Sequence, residues 1–245
     1  MSPTIHHEPA VELPDVRAGR LPQRYSHPMQ DVLLERLEPY LVSGVSIVDI
    51  GAGRAPTLAI EDRPEGCRYT GVDISAEELE AAPDGAYTDT VAADITDAPP
   101  LDGDYDVALS WQVLEHVKPL DRTLENLRRA LRPGGILLAQ TSGSRAVFSI
   151  LARALPHRAR VLAMSKLLGH HEEEKFPTAY DRCYATALDR MLEPWATATV
   201  VPFYRGATYF GFSRPLQRVY LAYENAIERR NKVNLATHYL IVATK

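Results

Sequence analysis

The sequence has little of what several classes of protein require. Its 245 residues include two cysteines, Cys67 and Cys183, which stand far apart and without the spacing of metal ligands. A disulfide framework is therefore excluded, and two reduced thiols are typical of a cytoplasmic protein. No apolar run is long enough to span a bilayer, and the N-terminus lacks the apolar core of a signal peptide. We expect a cytoplasmic protein without stable membrane insertion.

A strongly basic surface is also missing. Asp and Glu together number 32 against 27 Lys and Arg, which gives a formal net charge of −5. A broad nucleic-acid surface needs clustered positive charge with interleaved aromatic residues, so we expect no nucleic-acid partner. Hydrophobic residues make up 45% of the chain and charged residues 24%, as in folded proteins, and the length suits one large α/β domain.

The most informative feature that is present is an apolar run followed by a turn of small residues. Residues 45–50 are rich in β-branched side chains, as buried parallel strands are. Gly51 and Gly53 follow; glycine adopts backbone angles closed to other residues and has no Cβ to keep a ligand away. Pro56 suits the first turn of a helix, so the pattern predicts a helix N-terminus whose N–H groups face a ligand. An ordinary tight turn is the alternative.

Two further predicted strands each end in a carboxylate. Asp73 follows residues 68–72 and lies twenty residues after Gly53, where a carboxylate can accept both hydroxyls of a ribose. The alternative is a cap for a helix that begins near Ser75. Asp94 follows residues 90–93, and its alternative is a solvated strand end.

With two more motifs, these features resemble the class I S-adenosylmethionine-dependent methyltransferases over roughly residues 25 to 245. The additional motifs are the exit of a fourth strand and the turn before a fifth. The residues that carry the resemblance are Asp49, Gly51, Gly53 and Ala55 of motif I (the last more often glycine in the family), Asp73, Asp94 with Ile95, residues 105–117 and residues 131–135.

The resemblance implies an α/β fold with a Rossmann-like, seven-stranded, mostly parallel sheet whose last strand is reversed. Residues 238–243 form a predicted strand with no helix after it, as that reversed strand requires. The rival fold is a nicotinamide-dependent oxidoreductase, which also combines a glycine turn with an acidic strand end. Its fingerprint has a third glycine where this chain has Pro56.

The resemblance also implies S-adenosylmethionine as the cofactor. The residues it assigns to cofactor binding are Asp49, Gly51, Ala52, Gly53, Asp73, Ile74, Asp94, Ile95, Gln112 and Tyr25. Tyr25, with Arg24 and His27, is expected to close over the methionine end of the cofactor. Plain packing is the alternative for this segment.

The chain is predicted to comprise an arm and one domain with two insertions. Residues 1–23 lack periodicity and predict a flexible N-terminal arm, and residues 24–245 form the methyltransferase-like domain. Residues 145–184 combine apolar stripes with arginines, which favours a helical cap over the strand ends; a helix lying on a membrane is the alternative. An apolar stripe predicts an extra helix at about 213–231.

The chemistry expected of such an enzyme is positional. A sulfonium methyl group is already activated, so the protein orients the acceptor in line with the breaking bond and excludes water. A base is needed only where the acceptor loses a proton, and His116, after the fourth strand, is the catalytic candidate. The alternative is a histidine that shapes the pocket. Glu115 is expected to start a helix or to support its neighbours.

Two segments near the cap contain candidate ligand-binding side chains. Tyr180, Arg182 and Tyr184 are expected to line the substrate pocket, with a hinge that packs the cap as the alternative. His170 and His171 precede three glutamates, a composition that suits a metal. Adjacent residues of a helix point in different directions, so we expect a solvated charged loop and no metal.

The acceptor class follows by exclusion. The Asn/Asp-Pro-Pro-Tyr type of element used in nucleic-acid amino methylation is absent after strand four, where residues 110–113 read Ser-Trp-Gln-Val. We therefore expect a methyltransferase that acts on a small molecule, at oxygen, while nitrogen, carbon and the oligomeric state stay open. The alternatives are a cofactor-binding protein with a cyclisation or regulatory role and, less favoured, an NAD-dependent oxidoreductase.

Overall fold

The computed structural model describes residues 21–26, 28–97, 101, 103–154 and 178–245. Seven strands form one sheet in the order β3-β2-β1-β4-β5-β7-β6. Their bounds are β1 Ser46–Ile50, β2 Arg68–Asp73, β3 Asp89–Ala92, β4 Tyr105–Trp111, β5 Leu131–Ser142, β6 Thr197–Phe203 and β7 His238–Thr244. The first five strands pair in parallel, whereas β7 is antiparallel to both β5 and β6. The predicted Rossmann-like sheet with a reversed last strand is confirmed.

Six helices of the described residues surround this sheet. They are α1 Met29–Leu37, α2 Ala76–Glu80, α3 Leu120–Ala130, α4 Val147–Ala154, α5 Ala185–Met191 and α6 Arg214–Arg229. Short 3-10 turns include Ile60–Asp62, Ile95–Asp97 and Gly206–Phe210. None of the helices that the structure describes combines the length and the apolar character needed to cross a membrane.

The sheet is covered on both faces. On one face, Leu124 and Leu127 of α3 and Leu188 of α5 are buried against the strands. On the other, Leu33 and Leu37 of α1 are fully buried beside β5. Each such leucine contributes roughly 1.5–3 kcal/mol through burial. This packing leaves the carboxyl ends of the parallel strands as the open edge, which is where ligands bind in open α/β sheets.

The helix expected to begin at Pro56 does not form. Residues 51–59 are turns and bends, and the 3-10 turn Ile60–Asp62 follows them. The cause is a tertiary contact, because the carboxylate of Asp49 accepts hydrogen bonds from the N–H of Thr57 at 2.7 Å and from its hydroxyl at 2.8 Å. The glycine turn therefore does not lead into a helix N-terminus, and that expectation is wrong.

The structure describes only part of the predicted arm and of the predicted cap. Residues 1–20 of the arm and residues 155–177 of the cap, including His170 and His171, lie outside the described residues. The described part of the cap consists of residues 145–154, which contain α4, and residues 178–184. The range of the second insertion holds α6.

Candidate active site

The turn after β1 needs both of its glycines. Gly51 has a φ of +68° and Gly53 a φ of +48°, in the left-handed region that favours glycine. A Cβ on Gly51 would overlap the side chain of Val113, which follows β4. A Cβ on Gly53 would lie 3.6 Å from the Asp73 carboxylate. The turn is thus pressed against the exit of β4 and leaves an open, Cβ-free backbone beside Asp73.

A buried network supports this turn from below. The Asp49 carboxylate is fully buried and, besides Thr57, accepts a hydrogen bond from the Tyr69 hydroxyl at 2.8 Å. Burial raises the pKa of Asp49 to about 6, while the bonds from Thr57 and Tyr69 act to lower it. The guanidinium of Arg63 lies 3.7 Å above the Tyr69 ring. Asp49 therefore shapes the turn, and its predicted contact with the cofactor remains a prediction.

Tyr87 is a support of the turn that the sequence did not reveal. Its hydroxyl lies 3.0 Å from the carbonyl oxygen of Ala52 and 2.8 Å from that of Gly53, and donates to this pair. The Tyr87 ring lies over β2 because residue 71 is glycine, where a Cβ would come within 2.7 Å of the ring. A glycine inside a strand marks such a close approach, so Gly71 was the available signal.

The Asp73 carboxylate faces the turn and has hydrogen-bond acceptor positions that the protein does not use. It is 9% exposed and accepts a hydrogen bond from Ser75 N–H at 2.8 Å on one oxygen and from Gly53 N–H at 3.1 Å on the other. Each carboxylate oxygen has two acceptor positions, so one remains on each. The side chain of Ser75 itself caps α2 by accepting from Glu78 N–H. Asp73 is therefore not needed as the cap of α2. The side chain of the adjacent Ile74 is 59% exposed.

Asp94 lies at the end of β3 and is used in part by the local turn. One of its oxygens accepts from Thr96 N–H at 2.8 Å. The following Ile95 is buried, and its carbonyl accepts from the Asn126 side-chain amide at 2.7 Å. Asp94 thus both begins the 3-10 turn and keeps a second carboxylate oxygen outside that bond.

The exit of β4 is a constrained turn. Gln112 is exposed and has a φ of +56°, which is uncommon for a non-glycine residue and frequent at functional sites. His116 follows, with its Nδ1 buried and without a hydrogen-bond partner in the part of the chain described. The buried Glu115 carboxylate accepts from the hydroxyls of Ser142 at 2.7 Å and Thr141 at 3.1 Å. Glu115 therefore joins this turn to β5.

The three predicted substrate residues separate in the structure. The N–H of Tyr180, with that of Ala179, donates to the Glu115 carbonyl at 2.8 Å, which brings Tyr180 to the β4 exit. The Arg182 guanidinium pairs with Asp181 at 3.1 Å and with Asp121 of α3 at 3.2 Å. These contacts place the Arg182 side chain beside α3, while its contact with substrate remains a prediction.

Tyr184 has a cationic neighbour. The guanidinium of Arg145 lies 3.4 Å over the Tyr184 ring, at the distance of a cation–π contact. Tyr184 also precedes α5 directly. These contacts favour the hinge alternative for Tyr184, while its contact with substrate remains a prediction.

The N-terminal segment is anchored to α6 and to the residues after β6. The Tyr25 hydroxyl donates to the buried carboxylate of Glu224 on α6 and accepts from Ala207 N–H at 3.1 Å. The Arg24 side chain donates to the Tyr204 carbonyl at 2.7 Å and to Glu228 at 3.0 Å. These contacts favour the packing alternative for Tyr25, while its contact with the cofactor remains a prediction; His27 lies outside the described residues.

A second polar cluster, which sequence reasoning also missed, lies at the start of β7. His238 is 5% exposed, and its Nε2 is 3.3 Å from the Tyr209 hydroxyl. The Tyr209 ring stacks on Phe148 with ring centroids 3.9 Å apart. Burial, with the nearby charge of Arg205, lowers the pKa of His238 to about 4, so this imidazole is neutral near pH 7. No motif marks these residues, because they are distant in sequence.

Comparisons with known sequences agree with this architecture. Residues 22–202 match the model of a family described as a methyltransferase domain. The chain is 28% identical over 149 residues to methyltransferase GfsG of Streptomyces halstedii, covering 58% of this chain and 53% of that protein. It is 32% identical over 114 residues to malonyl-[acyl-carrier protein] O-methyltransferase 1 of Coxiella burnetii, covering 46% and 39%. The chain thus spans about half or less of the length of these relatives.

Solved structures share the fold. Phosphoethanolamine N-methyltransferase 2 of Haemonchus contortus, in complex with phosphomonomethylethanolamine and S-adenosylhomocysteine, has a TM-score of 0.56 at 16% identity, covering 89% of this chain and 52% of that one. The [4+2]-cyclase SpnF has a TM-score of 0.53 at 18% identity, covering 94% and 85%. At these identities the likeness is one of fold.

Proposed function

This chain belongs to the S-adenosylmethionine-dependent methyltransferase family, and from that premise we propose that it methylates a small-molecule acceptor at an oxygen atom. The cofactor of the family is S-adenosylmethionine. Family membership does not determine the acceptor, the atom methylated or the role of the cap, and we propose these.

The observation that carries the proposal is the pairing of Gly53 with Asp73. The open backbone at Gly53 faces a carboxylate that retains one acceptor position on each oxygen, which fits the two hydroxyls of a ribose. No helix begins at the glycine turn, so the turn lacks the dipole that helix N-termini offer to phosphate. A nucleoside without phosphate fits such a site better than the pyrophosphate of NAD does.

The remaining cofactor contacts are assigned by position on the same edge. Gly51, Ala52 and Gly53 would lie against the methionine part, with Gln112 across from them after β4. Ile74 and Ile95 would flank the adenine and Asp94 would accept from its amino group. When bound, the cofactor supplies an activated methyl group on sulfur.

The acceptor side of the proposal rests on the turn after β4. An acceptor hydroxyl has to lose a proton on methylation, and His116 is the side chain that we assign as base. Its neighbour Glu115 is held by Thr141 and Ser142, and it holds Tyr180 through its carbonyl. Tyr180 would thereby form one wall of the acceptor pocket. The cap, of which α4 and residues 178–184 are described, would exclude water.

Transfer of a labelled methyl group from S-adenosylmethionine to candidate acceptors tests the proposal. Transfer to a small hydroxyl compound supports it. Binding of the cofactor with no transfer to any hydroxyl compound would contradict transfer to oxygen, and absence of transfer to nitrogen and carbon acceptors as well would support a role without methylation, such as cyclisation. A preference for NAD over S-adenosylmethionine would contradict the family-based cofactor assignment.

A further inference from the structure

One half-buried arginine has no counter-charge among the residues that the structure describes. Arg205 follows β6 and is half-buried, and its Nε is buried without a hydrogen-bond partner. Among the residues that the structure describes, no carboxylate forms an ion pair with it. Its guanidinium lies 5.6 Å from the Phe203 ring. Withdrawing an unpaired charge from water costs free energy. A half-buried guanidinium is therefore expected to bind an anionic partner.

The Glu224 carboxylate bonds the residue next to Arg205, but its partners do not include the Arg205 guanidinium. Glu224 accepts from Gly206 N–H at 2.6 Å, from the Thr237 hydroxyl at 3.2 Å and from Tyr25, and it lies 3.7 Å from Arg24. Burial lowers the pKa of Arg205, Tyr25 acts to raise it and Arg24 acts to lower it. Glu224 therefore pairs with Arg24, and none of the described carboxylates pairs with Arg205.

A second incompletely bonded group stands beside Arg205. His238 pairs with Phe203 across β6 and β7, and the N–H of Arg205 donates to the hydroxyl of Thr237 at 3.3 Å. Nδ1 of His238 is buried and has no hydrogen-bond partner within the described residues. In the tautomer in which the Tyr209 hydroxyl donates to Nε2, Nδ1 carries the proton and is a second unused donor. In that tautomer the cluster offers a cation and an N–H donor that no group of the described residues accepts from.

We propose that Arg205 and His238, with Tyr209 holding the imidazole, bind an anionic group of the acceptor, either a carboxylate or a phosphate. A guanidinium presents its donors in a fork that matches the oxygens of both groups. The proposal rests on the proposed function, because it treats the ligand as the methyl acceptor.

The sheet sets the length of that acceptor. His238 pairs with Ser142 of β5, whose hydroxyl contacts Glu115 next to His116. In the order β4-β5-β7-β6, two strand spacings separate β4 from β7 and three separate it from β6. At about 4.8 Å per spacing, the anionic group lies about 10–14 Å from the end of β4. The acceptor is then elongated, with the methylated atom at one end and the anion at the other.

Titration of the His238 imidazole by NMR tests this site, with inorganic phosphate and acetate as probes. The ionisable groups that face this imidazole are Tyr209 and Arg205, whereas its strand neighbours Ser142 and Phe203 do not titrate in this range. A bound anion stabilises the imidazolium, so the pKa of His238 rises from its low value. A response to phosphate alone, or to acetate alone, identifies the class of anion. No response to either probe overturns the proposal.

Substitution separates this site from the cofactor site. We expect Arg205→Gln to weaken binding of the effective probe roughly 10- to 100-fold, because charge-assisted hydrogen bonds are lost. Arg205→Lys restores part of the affinity, and the exposed control Arg230→Gln leaves it unchanged. S-adenosylmethionine affinity stays the same in all three variants. Unchanged anion binding in a folded Arg205→Gln protein that still binds the cofactor refutes this inference alone, whereas failure of the unmodified protein to bind the cofactor refutes the proposed function.

Discussion

Replacing Asp73 by alanine removes the side chain on which the cofactor assignment depends. Its two oxygens accept from Gly53 N–H and Ser75 N–H, and in the proposed complex each also accepts a ribose hydroxyl. A hydrogen bond to a charged group contributes about 1.5–3 kcal/mol. Loss of both ribose contacts should therefore cost about 3–6 kcal/mol, which corresponds to roughly 100- to 10,000-fold weaker binding.

Isothermal titration of Asp73→Ala with S-adenosylmethionine measures this loss. Asp73→Asn keeps the shape and one oxygen, so its affinity should lie between those of the parent and Asp73→Ala. The matched control is Asp89→Ala, which removes an exposed carboxylate at the amino end of β3 and should change nothing. Thermal unfolding establishes that each variant is folded. A folded Asp73→Ala protein with the affinity of the parent would refute the ribose assignment.

Three other perturbations test the rest of the account. Tyr87→Phe removes the hydroxyl that holds the carbonyls of Ala52 and Gly53, and we expect about 3- to 10-fold weaker cofactor binding by calorimetry, with no change as the contrary result. His116→Gln should lower kcat by about 100- to 10,000-fold at unchanged cofactor affinity, and full turnover would exclude a base. Because the pKa of Asp49 is raised to about 6 in the folded state, the protein gains protons on folding between about pH 4 and 6, and its unfolding free energy falls by about 3 kcal/mol as pH rises through that window. Urea unfolding of the parent and of Asp49→Asn across this range should show that this dependence is missing from the variant, and parallel profiles would contradict it.

Features that depend on short-range pattern could be predicted from the sequence. The strands of the sheet are short runs of β-branched and apolar residues. Turn residues follow these runs and mark where the strands end. Ser75 was recognisable as a cap because its partner, Glu78, is three residues away. Asp73 was recognisable because its distance from Gly53 follows from the geometry of one strand-turn-strand unit.

Features that depend on long-range contacts could not be predicted in this way. Local propensity predicted a helix at Pro56. The hydrogen bond from Thr57 N–H to the Asp49 carboxylate holds this segment in a turn instead. Tyr87 reaches the turn across 35 residues of sequence, and Tyr25 reaches Glu224 across 199. No local spacing encodes such partners, because the sheet order brings them together only after folding.

The unpaired Arg205 illustrates the same limit for the acceptor site. Its significance lies in the absence of a carboxylate beside it among the described residues, and that can be seen only when Glu224 is found committed to Tyr25, Gly206 and Thr237. In the sequence Arg205 is one of many scattered arginines. The cofactor site could therefore be predicted from the sequence more readily than the acceptor site, because it uses a recurring arrangement of glycine and carboxylate.

The most direct test of the central claim is calorimetric titration of the unmodified protein with S-adenosylmethionine and, separately, with NAD. We expect one S-adenosylmethionine site per chain and no binding of NAD, because the glycine turn presents Asp73 to a ribose without offering a helix N-terminus to a pyrophosphate. Binding of NAD, or no heat with S-adenosylmethionine, would contradict it.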